Sequence, residues 1–346
     1  MAVTQLQDLI TPEVFNPYVK DLQTRKLNII RSGAVTVDGD LETMLNGGGA
    51  TFNYPFFNLL PETGEHIGSD DPNDRIVPNK VTASNLIVPR CVRTAAWQVA
   101  NLNKIITNED PLAYIGTQVA DYRAGAFQRQ LLATAKGIFA NNASATDDYH
   151  EQNDQRLDLS ILNNGAYLKG TTDFSVFALI DAISRLGDNQ DGLGMIMVHS
   201  LVWANMQKQD IIDTRLPSDG SAPRYYYNGY EIIVNDLMPC TTTNGSAVCS
   251  TYIFGRDQFR TAFGDVDDPI DFDVDKFGGN GMGITTLFTK WCNTIAPRGY
   301  SYVGTGFDVG GPANTNETGA LDVATSWRRV TSKKNCKMIE LVTRES

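Results

Sequence analysis

The chain has 346 residues, 42% of them apolar, which gives room for two domains or one elaborate domain and excludes a disordered chain. Its formal net charge of -11, from 29 basic and 40 acidic residues, excludes a surface that coats nucleic acid, because such binders cluster cations to displace counterions from phosphate. The N-terminal MAVTQLQDLITPEV lacks the basic and apolar regions of a secretory signal, and no apolar run is long enough to span a membrane, so a cytoplasmic protein without a membrane partner is expected.

Taken in chain order, Thr11 and Pro12 predict the start of a helix with Val14, Phe15, Tyr18, Val19 and Leu22 on one side, in an N-terminal arm over 1–45. After the breaker Gly47-Gly48-Gly49, the runs TFNYPFFNLL and VTASNLIVPRCVRTAAWQVA flank a polar tip with Glu62, Glu65, Asp70, Asp71 and Asp74. This pattern predicts a hairpin-like arm over 46–103. A projecting arm exposes strand edges and aromatics and so expects a partner. Phe52, Tyr54, Phe56, Phe57, Asp70, Asp71, Arg90 and Arg93 are the candidate contacts between subunits.

DPLAYIGTQVADYRAGAFQRQLLATAKGIFANN opens with Asp110 as an N-cap and Pro111 at the first helical position, where a missing N–H costs nothing. Leu112, Ile115, Val119, Tyr122, Phe127, Leu131 and Ile138 recur at helical spacing, with Ala126 and Ala135 in the same stripe and Asp121, Arg123, Arg129 and Lys136 off it. A helix over 111–140 is therefore predicted. It is a rod of about 45 Å, suited to a scaffold. A polar stretch over 141–172 follows. FSVFALIDAISRLGD predicts a short helix with Val176, Leu179, Ile180, Ile183 and Leu186 inward, stopped at Gly187. MIMVH predicts a buried strand, SLVWANMQKQD a helix capped by Ser200, and RYYYNGYEIIVND a hairpin turning at Asn228-Gly229. TYIFGRDQFRTAF, DPIDFDVDKF and ITTLFTKWCNTIAPRGYSYVG add strands, the second with its aspartates on one face. Helices and strands in this mixed order predict an α+β fold and exclude a barrel or a doubly wound parallel sheet.

The residues offer no chemistry. His66, His150 and His199 stand apart, without a Cys, Asp or Glu partner at ligand spacing, so neither a zinc site nor a catalytic triad is supported; His199 reads as a core or helix-start residue. GGGA and GGNGMG lack both the Walker Lys and the dinucleotide-binding order of glycines. Asp271, Asp273 and Asp275 are the best metal candidates. They mimic the first ligands of a calcium loop, but Lys276 stands where glycine is needed and Met282 where the bidentate glutamate belongs. Arg328, Arg329, Lys333, Lys334 and Lys337 fit ion pairing with an acidic surface better than phosphate. Cys91, Cys240, Cys249, Cys292 and Cys336, odd in number and never in a C-x-x-C pair, read as free thiols, with a Cys240 to Cys249 bridge as the alternative. No enzyme, no cofactor and no resident metal are expected.

The order of arm, hairpin, spine helix and mixed α/β region resembles the tailed-bacteriophage major capsid proteins of the Hong Kong 97 type. NEDPLAYIGTQVADYRAGAFQRQLLATAKGIFAN looks like their spine helix, preceded by the returning strand RTAAWQVANLN. IDAISRLGD, MVHSLVWANM, NGYEIIVNDLMP and YIFGRDQFRTAFG look like successive elements of their axial domain. The resemblance implies a peripheral domain over 104–171 and 283–346, an axial domain over 172–282, and hexamers and pentamers closing an icosahedral shell around double-stranded DNA. It also implies decoration and portal proteins as partners and DNA enclosed without sequence-specific binding; with no long coiled-coil leader before the arm, a separate scaffolding protein or assembly without a leader is expected. A bacterial nanocompartment shell of the same fold and a cytosolic α+β enzyme are the alternatives.

Overall fold

The computed structural model describes residues 33–346 apart from 58–64, 69, 74, 77, 79–80, 82, 108–110, 145–150, 188–189, 211, 216–222, 244 and 268. The helix expected from Pro12 and the Asp110 cap lie outside the described residues.

The chain enters through β1 (Val35–Val37) and helix α1 (Gly39–Asn46), which Asp38 caps by accepting from the Asp40 N–H at 3.0 Å. Next come β2 (Thr51–Phe57) and β3 (Ala83–Pro89), an antiparallel pair that forms a two-stranded sheet of its own. After β3 the chain does not stay in the hairpin: β4 (Cys91–Ala100) pairs along β14 (Ile284–Pro297) from Asn293↔Cys91 to Ile284↔Ala100. The arm is therefore shorter than the sequence pattern predicted, because the returning run divides at Arg90 between two sheets.

Helix α2 (Asn101–Thr107) leads to the spine, helix α3 (Pro111–Ser144), 34 residues long. Of the predicted stripe, Val119, Phe127, Leu131, Ala135 and Ile138 are each at most 4% exposed and Ala126 is half-buried, while Arg129 and Lys136 face solvent. Tyr122 departs from the stripe at 38% exposure, stacking edge-on against Trp97 and Trp291.

The smaller sheet runs β1, β12 (Phe259–Gly264), β14 and β13 (Ile270–Asp275), with β4 on the other side of β14. The larger sheet has eight strands. Its path runs from β5 (Arg156–Asp158) through β17 (Met338–Glu345), β11 (Ser246–Gly255), β6 (Leu193–Val198), β9 (Tyr230–Val234) and β8 (Arg224–Tyr227) to β7 (Asp213–Arg215). β10 (Cys240–Thr243) also pairs with β11. Side-chain alternation gives this sheet two buried faces. Met195, Met197, Tyr252, Phe254 and Met338 meet the spine residues Phe127, Leu131, Ile138 and Phe139. Ile196, Val198, Ile253, Ile339 and Leu341 meet helix α4 (Val176–Ser184) and helix α5 (Ser200–Lys208) on the other face. The spine core also takes in Phe259 and Ile295 of the smaller sheet, so one rod braces both sheets.

Two local expectations need correction. The cap of α5 is His199, whose Nδ1 accepts from the Leu201 N–H at 3.2 Å, rather than Ser200. On α4, Leu179 and Ile183 are buried but Ile180 is 48% exposed, because the inward face is narrower than the apolar stripe. The hairpin turn formed as expected, with Asn228 at φ 47 and Gly229 at φ 87 between β8 and β9.

Candidate functional site

The hairpin of β2 and β3 is anchored along one face and exposed at the outer end of β2. Phe52 and Tyr54 of β2 pack against a cluster of Leu41, Leu45, Leu86, Val88, Ala262 and Ala296, which joins α1, β3 and the smaller sheet. Tyr54 Oη accepts from Arg260 Nη1 at 3.0 Å, and Arg260 in turn pairs with Asp38 at 3.2 Å and Asp257 at 3.3 Å. The Arg260 and Arg298 guanidiniums and the Thr36 hydroxyl together outweigh partial burial and hold the Asp257 carboxyl below its ordinary range. Phe57, at the outer end of β2, is 79% exposed. Burying such a ring is worth about 1.5–3 kcal/mol, so each free subunit leaves that gain unclaimed.

The other candidate contacts separate into two groups. Asp70 and Asp71 lie exposed in the tip, where Asp71 Oδ1 accepts from the Asn73 N–H at 2.9 Å. Arg90 and Arg93 turn inward: Arg90 Nη2 donates to the Leu45 carbonyl and Arg93 Nη2 to the Pro312 carbonyl. These two cations position the arm's root within its own subunit. The side chain of Phe56 lies outside the described residues.

Two exposed surfaces were not anticipated. Along β13 the apolar Ile270, Phe272 and Val274 are 46–55% exposed, because β13 is an edge strand paired only with β14. Phe277 (94%) and Met282 nearby in the chain are exposed, as are Leu102, Ile105 and Ile106 of α2. Phe263 and Trp291 line an open groove of about 460 Å³ beside Arg123 of the spine. The alternation in DPIDFDVDKF signalled a strand with two unlike faces, but not its place at an edge.

Asp271, Asp273 and Asp275 project from a single extended strand, and an extended backbone sets alternate side chains about 6.5 Å apart, too far to converge on one ion. Among the described residues, the grouping with metal-ligand geometry is His199 with Cys240 and Cys249. Those two cysteines are joined in a disulfide across β10 and β11, which corrects the free-thiol expectation for two of the five. Cys91, Cys292 and Cys336 are free and buried; burial pushes the Cys91 and Cys336 thiols up to about 12. An inert thiol of this kind is a packing group, not a nucleophile. Of the C-terminal cations, Arg329 is buried and ion-paired with Asp154 at 2.7 Å.

No protein-family model matches the chain. Against known proteins it is 29% identical to the major capsid protein of Bacillus phage SPP1 over 343 residues, covering 98% of both chains. In structure it is similar to the capsid of cyanophage P-SCSP1u, with a TM-score of 0.51, 11% identity, and 93% and 90% of the two chains covered. It is likewise similar to the capsid of cyanophage Pam1, with a TM-score of 0.52, 12% identity, and 89% and 88% covered. The chain has the α+β Hong Kong 97-type fold of these capsids, built here from the β2–β3 hairpin, the spine helix and the two larger sheets. With this likeness along its whole length, the chain is a structural subunit of a phage capsid, and not an enzyme.

Proposed function

We propose that the subunit assembles as hexamers and pentamers into a closed icosahedral shell around double-stranded DNA, in the cytoplasm of a bacterial host. The observation that carries this reading is the hairpin of β2 and β3, a two-stranded sheet of its own that is seated on α1 and the smaller sheet by Tyr54 and Arg260 and bears Phe57 at 79% exposure. A two-stranded sheet is marginal in water, and an exposed aromatic on it is a liability unless a neighbour covers it. Phe57, Asp70 and Asp71 then lie over an adjacent subunit.

The axial domain centres on the larger sheet and α4 and α5, and the peripheral domain on the spine with the smaller sheet. β17 pairs with β11 inside the larger sheet, while β12 and β13 pair with β14 in the smaller one, which argues for moving 338–345 to the axial side and 259–275 to the peripheral side of the sequence-based boundary. Scaffolding, decoration and portal proteins are separate chains in this reading. The net charge of -11 suits a container that does not trap its DNA by nonspecific binding.

Electron microscopy of the chain expressed alone, and then with its neighbouring structural proteins, tests the proposal. Closed shells with hexameric and pentameric capsomers are expected. Discrete small oligomers under both conditions would overturn it.

A further inference from the structure

In the larger sheet, β6 and β10 lie end to end along one side of β11, with β6 pairing to residues 252–255 and β10 to residues 246–249. His199, the first residue past β6, thereby falls beside Cys240 and Cys249, which face each other in register and share a disulfide. One ring nitrogen of His199 and both sulfurs lie within 4.8 Å of one another. His199 Nδ1 accepts from the Leu201 N–H at 3.2 Å, which fixes the ring at the start of α5. The two sulfurs differ in access: Cys249 is fully buried and Cys240 is half-buried. The other three cysteines are buried and unbridged.

We propose that Cys240 and Cys249 form a redox-responsive staple that closes by thiol–disulfide exchange with a low-molecular-weight disulfide of the glutathione class, with His199 favouring the attacking thiolate. Cys240, the accessible partner, attacks one sulfur of the small disulfide. A mixed disulfide forms on Cys240 and one small thiolate leaves. Cys249 then attacks the Cys240 sulfur, which closes the protein disulfide and releases the second small thiolate. Two protein thiols are oxidised, one small disulfide is reduced to two thiols, and the two protons go to solvent or to the departing thiolates. The timing rests on the cytoplasmic assembly proposed above: a reducing compartment keeps the dithiol open, and release into oxidising surroundings closes it. Closure ties the 240–249 hairpin onto β11 in a sheet already built.

Reduced full-length protein, or particles where they form, is treated with oxidised glutathione, then denatured and alkylated, and the labelled cysteines are located by mass spectrometry. Label is expected on Cys91, Cys292 and Cys336 alone after oxidation and on all five cysteines before it. In Cys249→Ser a glutathione adduct accumulates on Cys240, whereas in Cys240→Ser none accumulates on Cys249. His199→Asn retains a good helix cap. It slows closure by about tenfold near neutral pH and moves the rate profile to higher pH, as loss of a thiolate-stabilising neighbour requires. Five labelled cysteines after oxidation, adducts on Cys249 in preference to Cys240, or an unchanged rate in His199→Asn would overturn the inference. Particles that assemble yet keep five thiols refute the staple and leave the shell function standing, because the count is read on the full chain whether or not shells form.

Discussion

Arg329 grips Asp154 with both guanidinium arms, Nη1 to Oδ1 at 2.9 Å and Nη2 to Oδ2 at 2.7 Å, with the side chains only 2% and 6% exposed. The pair joins β16 (Trp327–Arg329) to the segment that follows the spine, and Gln155 extends it by accepting from Arg329 Nη1 and Tyr300 Oη. Asp154→Ala strips a buried guanidinium of its carboxylate, a loss of about 3–5 kcal/mol. A drop of that size in chemical denaturation of the subunit is expected, and a change below about 1 kcal/mol would contradict the pairing.

Gly137 lies inside the spine, where alanine is ordinarily the better residue by about 1 kcal/mol. Here the sign reverses. A Cβ at this position meets the Leu321 carbonyl oxygen inside contact distance and lies 2.7 Å from Trp327 Nε1, where the 321–327 segment crosses the helix. Asn141 Nδ2 donates to the Ala324 and Trp327 carbonyls at 3.0 and 2.9 Å and holds that crossing in place. Gly137→Ala therefore destabilises by about 1–3 kcal/mol. A thermal melt that rises on substitution would remove the close approach.

Ala126→Pro removes a helical hydrogen bond and drives its ring into the preceding turn, at a cost of about 3 kcal/mol or more. Because the spine braces both sheets, loss of soluble subunit is the expected result in expression and circular dichroism. A folded, assembling variant would contradict the bracing role.

Glu340 sits opposite Arg156, with Nε to Oε2 at 2.8 Å, yet burial outweighs the ion pair and holds its carboxyl above the ordinary range. Folded protein then keeps this proton more tightly than unfolded protein, so the contribution to stability is full at low pH and is lost as pH rises through the raised value. Glu340→Gln cannot ionise. The stability advantage of the natural residue over glutamine should narrow as pH rises above the ordinary glutamate value of about 4.3, in denaturation midpoints. A gap that widens with rising pH would contradict the sign.

Local signals carried much of this fold. Pro111 and the apolar period from Val119 to Ile138 marked the spine, and Asn228-Gly229 marked a turn that only positive φ allows. What local pattern could not carry was pairing between distant strands. Nothing in MIELVTRE says that it inserts between β5 and β11, and this one insertion moves the chain's C-terminal strand from one sheet to the other. The same holds at the arm: the aromatics of β2 were visible, but their division into rooted Phe52 and Tyr54 and bare Phe57 depends on α1 and β12 folding beneath them. His199 was read as a core or helix-start residue, but the cap itself was given to Ser200 because a ring nitrogen here replaces the usual hydroxyl or carboxylate.

The central claim is that Phe57 and the hairpin tip are covered by a neighbouring subunit. A cryo-electron microscopy reconstruction of assembled particles, paired with the yield of Phe57→Asp particles, tests it most directly. The account predicts closed shells in which the 51–89 hairpin crosses an adjacent subunit with the Phe57 ring buried, and a Phe57→Asp subunit that folds but does not assemble. Shells in which the hairpin lies back on its own subunit with Phe57 still exposed, and an undiminished yield from Phe57→Asp, would contradict it.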